Sequence, residues 1–418
     1  VDPRGARLRC AHDEALSAAQ LAQRLGAPAA SGATVLTLAF ATRRSSGALG
    51  ASSARVWLPT APIAAPAPLI VWAHGSMGLA DACAPSRQPR GEESHVLPWV
   101  AAGYPVIAPD FAGLGTDGVQ GYGDNHDTAQ SVLDAARALR RLLPPGAADE
   151  RVVLAGYSQG GGAVLAAQGL ERSYGSGGRV VAVVAFAPQW FSRLDSLGAF
   201  SMLRAPDALT IGLGYTKPTV SVMRHYASVF NHVGPAAARE VFPPGQADAF
   251  EGALESLCLI PLGGWVQTKA RVRDLMSEAL RSSLLACHES RASPDCREPG
   301  RSHLARLEAD LIAPDPAGAP VLYVQGSLDT VLPVAEEAAC NVPLLRVAGV
   351  DVTVCVDAGA THASLIGRRL QYGVAWARAK LESGATPVCD CERPPDRAPE
   401  SARVGLAGMA GRGDAQTR

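Results

Sequence analysis

The sequence lacks a charge bias. Its 38 Lys and Arg residues nearly balance 39 Asp and Glu, giving a formal net charge of −1 over 418 residues. Nothing in that balance favours a phosphate backbone or an acidic bilayer, so no nucleic-acid partner is expected. A long apolar run is also missing. A membrane helix needs about 20 consecutive apolar residues, and the longest candidate, 180–188, is only strand-length. No transmembrane segment is expected. There is no G-x-x-x-x-G-K-[ST] phosphate loop and no internal repeat. The Asp110–Asp117 region is not spaced as an EF-hand, and the cysteines do not follow a zinc pattern. Neither a metal nor a cofactor is expected. The chain begins at Val1 without a signal-like segment, as expected of a mature, processed protein.

What is present is a globular composition, 47% hydrophobic and 18% charged, which can fill a sizeable core. Nine cysteines argue for disulfides and an oxidising compartment, with at least one thiol left over. Cys287/Cys296 and Cys340/Cys355 are candidate local pairs. A helix is expected over 13–25, then strands over 33–41 and 54–58. From there strand and helix patterns alternate: strands at 69–73, 105–108, 151–155 and 179–187, helices at 95–102, 127–143 and 160–172, with Asp127 as an N-cap. This rhythm predicts a mostly parallel sheet with helices on both faces. It breaks after Pro188. Helical patterns then run to about residue 312, before strands return at 321–325 and 351–356 and a last helix at 364–381. The expected division is 1–188 and 313–384 for the two parts of one α/β core, 189–312 for an inserted helical cap, and 385–418 for a poorly ordered tail.

Residues 154–164 read LAGYSQGGGAV. Gly156-Tyr-Ser158-Gln-Gly160 fits G-x-S-x-G between a strand and a helix, the nucleophile elbow of α/β-hydrolases. The turn is too tight for side chains at the flanking positions, and the serine is left exposed at the carboxyl end of the sheet. A serine needs a base, and the base a carboxylate, in the chain order nucleophile, acid, histidine. Among the downstream histidines only His362 follows the last expected strand, in a Gly-containing loop. Asp329, in the 326–333 loop after the preceding strand, is the favoured acid. Asp357, five residues before His362, is its rival. The backbone N–H of Gln159 and one from the loop after His74-Gly75, at Ser76 or Met77, are the candidate oxyanion donors.

Three stretches carry a resemblance: HGSMGLADACAPS at 74–86, APDFAGLGT at 108–116 and GYSQG at 156–160. Together they resemble the secretory lipases, cap-bearing α/β-hydrolases, over roughly 35–381. The resemblance implies a secreted, periplasmic or cell-surface lipase or esterase. It also implies a Ser158–Asp329–His362 triad, disulfides, and a helical lid around an acyl tunnel. The expected partner is an acyl ester or lipid, with the cap a candidate for contact with a lipid interface. Apolar cap residues such as Trp190, Phe191, Phe200, Tyr215, Met223, Tyr226 and Trp265 divide between packing and an acyl site. A serine peptidase, an acyltransferase, or a catalytically silent binding protein on the same fold are the alternatives.

Overall fold

A computed structural model describes residues 2–389 apart from 63, 65 and 215. Tyr215, Cys391 and the expected tail beyond 389 lie outside the described residues. Nine strands form one sheet: β1 (Arg7–Leu16), β2 (Ala33–Arg43), β3 (Leu49–Pro59), β4 (Ala67–Ala73), β5 (Val106–Pro109), β6 (Ala148–Tyr157), β7 (Arg179–Phe186), β8 (Val321–Gly326) and β9 (Val352–Asp357). Their order is β1-β2-β3-β5-β4-β6-β7-β8-β9. The first three pair antiparallel, as does β3 with β5, and every later pairing is parallel. β4, β5 and β8 are buried along their whole length. Strands covered on both faces read as continuous apolar runs, and that is why these were legible.

Thirteen α-helices occur among the described residues: α1 (Ala18–Leu25), α2 (Glu93–Ala101), α3 (Asn125–Leu142), α4 (Gln159–Tyr174), α5 (Ala199–Leu203), α6 (Thr216–His232), α7 (Pro235–Arg239), α8 (Ala247–Ser256), α9 (Leu259–Gln267), α10 (Glu278–Glu289), α11 (Gly300–Ala309), α12 (Ala338–Val347) and α13 (His362–Leu381). One face of the sheet packs on α3, α4 and α12 through Val132, Val164 and Val342. The other packs on α1, α2 and α13 through Leu21, Trp99 and Trp376. Between β7 and β8 the described chain forms helices without a named strand. These helices share a third apolar core, built on Met223, Phe250, Leu262 and Leu284, which reaches down to Leu79, Tyr122 and Leu332 of the sheet's loops.

Three expectations need correction. The first four residues of the expected helix at 13–25 belong to strand β1, and the helix itself, α1, starts only at Ala18. β1 is almost wholly exposed, so RLRCAHDEAL carries no apolar alternation to betray it. Ser17 and Gln20 start α1 with a reciprocal capping box. The N-cap of α3 is Asp124, whose Oδ1 accepts from the Asp127 N–H at 2.8 Å. Asp127 lies inside the first turn and pairs with Arg44 at 2.8 Å. Finally, Cys355 bonds Cys389, not Cys340. α12 lies against one face of the sheet while Cys355 projects into the core on the opposite face, so proximity in sequence does not bring the two sulfurs together. Among the described residues Cys83–Cys258 and Cys287–Cys296 are the other disulfides, and Cys10 and Cys340 are free thiols.

Candidate active site

The carboxyl ends of β4 and β6 lie side by side in the middle of the sheet. There the chain reverses its direction of winding, and a crevice opens beyond the strand ends. Ser158 stands at that point with φ 54° and ψ −116°, a conformation that L-residues rarely adopt. Its surroundings over-determine it. The Ser158 N–H donates to the Phe186 carbonyl at 2.9 Å, and the Ser158 carbonyl accepts from Gln189 at 2.8 Å and Gly162 at 3.1 Å. The flanking glycines are sterically required. A Cβ on Gly156 would lie 2.4 Å from the Gly160 carbonyl oxygen, and one on Gly160 would lie 2.0 Å from that of Ala73.

The hydroxyl of Ser158 is 3.0 Å from Nε2 of His362, and Nδ1 of His362 is 2.7 Å from Oδ2 of Asp329. His362 is the first residue of α13, behind Thr361, whose side chain caps the helix reciprocally with Ser364. That cap fixes where the imidazole leaves the backbone. Asp329 is buried and saturated. Its Oδ1 accepts from the N–H groups of Val331 and Leu332 at 2.9 and 2.8 Å, and Oδ2 also accepts from Gln325 at 3.1 Å. Four donors fix the orientation of this carboxyl, and its contact with Nδ1 turns Nε2 of His362 towards Ser158. The rival Asp357 is engaged elsewhere, by Arg368 at 2.9 Å and by Arg369, both on α13.

Gln159 is the first residue of α4, where N–H groups lack intrahelical acceptors. Gly75 approaches the elbow so closely that a Cβ there would lie 3.5 Å from the Cβ of Ser158, which brings Ser76 beside it. The Ser76 and Tyr122 hydroxyls lie 2.7 Å apart and 3.2 and 3.1 Å from Oε1 of Gln189, so one hydroxyl donates to the amide oxygen and the other to its neighbouring hydroxyl. Tyr122 and Gln189 brace the loop, and no local sequence pattern marks either.

The quoted family stretches have structural work around this loop. Buried Asp110 accepts from the Ser86 N–H at 2.9 Å and from the Ser53 hydroxyl at 2.6 Å, tying two of them together. Burial pushes the Asp110 carboxyl up. Cys83 bonds Cys258 at the start of α9, and the Leu259 N–H donates to the Met77 carbonyl at 2.8 Å. One wall of the site is therefore pinned to the helical segment. A cavity of about 230 Å³ lies between them, lined by Ser76, Met77, Tyr122, Ser158, Gln189 and His362 below and by Thr216, Val220, Leu259 and Ile260 above. Among the described residues no group of His, Cys, Asp and Glu is arranged to hold a metal.

Comparison with known proteins follows this geometry. Residues 86–187, which include the elbow, match the model of the secretory lipase family. A search of curated proteins returns no match. Among solved structures, the rice cell wall degrading esterase LipA from Xanthomonas oryzae superposes with a TM-score of 0.67 at 19% identity, over 92% of this chain and 100% of that one. Candida antarctica lipase A gives 0.65 at 17% identity, over 98% and 90%. A putative hydrolase from Legionella pneumophila gives 0.71 at 17%, over 91% and 100%. At such identities the likeness establishes the fold. The family match and the three disulfides fit an extracellular protein. The segment bearing the elbow thus matches the secretory lipases, the fold around it is the α/β-hydrolase fold, and the chain is a carboxylester hydrolase.

Proposed function

We propose that the ester is cleaved by Ser158, with His362 as general base and acid and Asp329 as its orienting carboxylate. The observation that carries this reading is the continuous chain of contacts from the Ser158 hydroxyl through both ring nitrogens of His362 to Asp329. As Oγ attacks the ester carbonyl, Nε2 takes its proton. The oxyanion accepts hydrogen bonds from the backbone N–H groups of Gln159 and Ser76. Collapse expels the alcohol, which leaves with the proton from His362, and an acyl-Ser158 ester remains. Water attacks that ester while His362 again takes a proton. The acid then departs and Oγ recovers its hydrogen.

Residues 189–312 act in this reading as a cap whose Val220, Leu259 and Ile260 side chains receive the acyl chain. Ile260 is 77% exposed and Ile211 71%, so the same helical segment also offers apolar side chains to a lipid surface. The pin at Cys258 favours a fixed wall there over a lid that swings from α9. The compartment is outside the cytoplasm, secreted, periplasmic or at the cell surface. Rates on p-nitrophenyl esters from acetate to palmitate test the reading. Ser158→Ala and His362→Ala should each lose about 10⁴-fold or more in kcat, and a fluorophosphonate should label wild type but not Ser158→Ala. An unreduced rate in Ser158→Ala would remove the assignment. A turnover curve for tributyrin with no rise at its solubility limit would remove the lipid-surface contact.

A further inference from the structure

A second oriented imidazole lines the same cavity. His95 and Glu92 belong to the start of α2, and both face the space that holds Ser158 and His362. Glu92 is buried, and its backbone is left-handed, at φ 63°. A non-glycine residue occupies that region only when its surroundings compel it. In this conformation Oε2 of Glu92 accepts from the Trp72 indole N–H at 2.7 Å and from Nδ1 of His95 at 2.9 Å. Burial works against a charge on this carboxyl, but the hydrogen bonds from His95 and Trp72 favour the charged form, and Glu92 is held below the usual carboxylate range.

A structural role for Glu92 as acceptor for Trp72 does not account for the arrangement. The buried indole N–H groups of Trp57, Trp99, Trp190 and Trp376 have no protein acceptor, so the fold does not demand a strained, buried carboxylate for this purpose. The contact that distinguishes Glu92 is the one to His95. With Nδ1 committed to the carboxylate, the lone pair of a neutral His95 sits on Nε2. That nitrogen makes no hydrogen bond to another described residue, and His95 keeps 23% of its side chain exposed in the cavity wall.

Its flank of the cavity follows from the reaction. The leaving oxygen must reach Nε2 of His362 to receive its proton, so the alcohol lies on the His362 side. The Tyr157 ring neighbours both imidazoles, with centroids 5.0 Å from His362 and 6.2 Å from His95, so the two histidines flank the same side chain of the cavity. The apolar contacts from α6 and α9 lie on the cap wall. His95 therefore faces the alcohol portion.

We propose that the Glu92–His95 pair is an alcohol-side subsite that accepts a hydrogen bond from a free hydroxyl of the leaving group, selecting esters of polyols over esters of simple alkanols. This rests on the reading of Ser158 as nucleophile. Nε2 of His95 is the acceptor and the substrate hydroxyl the donor. No covalent step is added.

The test compares kcat/KM for glyceryl monobutyrate and propyl butyrate, which share an acyl group and differ in the alcohol hydroxyls. Wild type should favour the glyceryl ester by about tenfold, and His95→Leu should bring the ratio towards one. His95→Gln, which keeps a polar tip, should retain part of the preference. A wild-type ratio near one overturns the proposal without reference to any variant. So does a ratio that His95→Leu leaves unchanged, or an equal loss on both esters, which marks a structural role. Failure of the underlying reading looks different: Ser158→Ala then retains hydrolysis of both esters.

Discussion

The tightest point of the elbow allows a sharp prediction. In Gly160→Ala the new methyl would lie 2.0 Å from the Ala73 carbonyl oxygen, 2.3 Å from its carbon and 2.6 Å from the His74 oxygen. A carbon–oxygen contact settles near 3.3 Å, so about 1 Å must open between α4 and the end of β4. The obstacle is backbone of the central strand, and rotamer adjustment cannot relieve it. Overpacking costs roughly 1–3 kcal/mol, and this site belongs at the upper end, about 3 kcal/mol. At about 2.1 cal/mol/K of unfolding entropy per residue, that corresponds over 418 residues to a melting temperature lower by about 3 °C. The displaced segment leads directly into Gly75 and Ser76, and a misplacement of about 1 Å in a catalytic array costs about 10²-fold in rate. The assay is thermal melting together with kcat/KM on p-nitrophenyl butyrate, normalised to sites titrated by a fluorophosphonate. Gly252→Ala in α8 is the control. It meets nothing within 4 Å and should stabilise by about 0.5–1 kcal/mol through its helix propensity. Wild-type kcat/KM in Gly160→Ala would refute the account of the elbow.

Cys258→Ser opens a loop with a sequence separation of 175 residues, worth up to about 5 kcal/mol in chain entropy, and releases α9 from Met77. Melting temperature and rate should both fall, and by more than in Cys287→Ser, whose separation is 9. Equal losses in melting scans of the two variants would contradict this. Glu337 is buried beside Leu197, and burial pushes its carboxyl up to about 7 from an ordinary 4.5. The folded chain therefore holds a proton that the unfolded chain releases, so this group's contribution to stability is present below about pH 4.5 and lost as pH rises through 7. Glu337→Gln should lose that slope and be the more stable protein at pH 8, by up to about 3 kcal/mol. Urea titrations at pH 5, 6, 7 and 8 with parallel wild-type and variant curves would count against it.

The sheet was legible where burial is two-sided. β4, β8 and the inner stretches of β6 and β7 are apolar runs because both of their faces are covered. β1 escaped because its side chains are almost all exposed and only its hydrogen bonds to β2 make it a strand. The residues now in contact at the elbow could be named from chain order, since each follows a strand, Ser158 after β6, Asp329 after β8 and His362 after β9. The preference for Asp329 over Asp357 follows the same logic, and spacing alone does not show that Arg368 and Arg369 of α13 pair with Asp357. Tyr122, Gln189 and the Glu92–His95 pair were out of reach. They lie on loops or helix starts distant from Ser76 and Ser158 in sequence, and no local pattern marks a side chain whose partner is set by tertiary folding. The Cys355 pairing failed for a related reason, because which face a strand residue points to decides its partner more strongly than distance along the chain.

The Cys83–Cys258 bond has a consequence for the life of the protein among proteases. It encloses the elbow, β5, β6, β7 and the first half of the helical segment within one covalent ring. Residues 244–246 are exposed inside that ring. A protease that cuts there makes two polypeptides but no free fragment, since Cys83 on one remains bonded to Cys258 on the other. Ser158 stays on the first piece, with Asp329 and His362 on the second, and the bond keeps the two at high effective concentration. A nicked molecule would migrate as two bands only after reduction, and damage that separates other enzymes into halves would leave this one assembled.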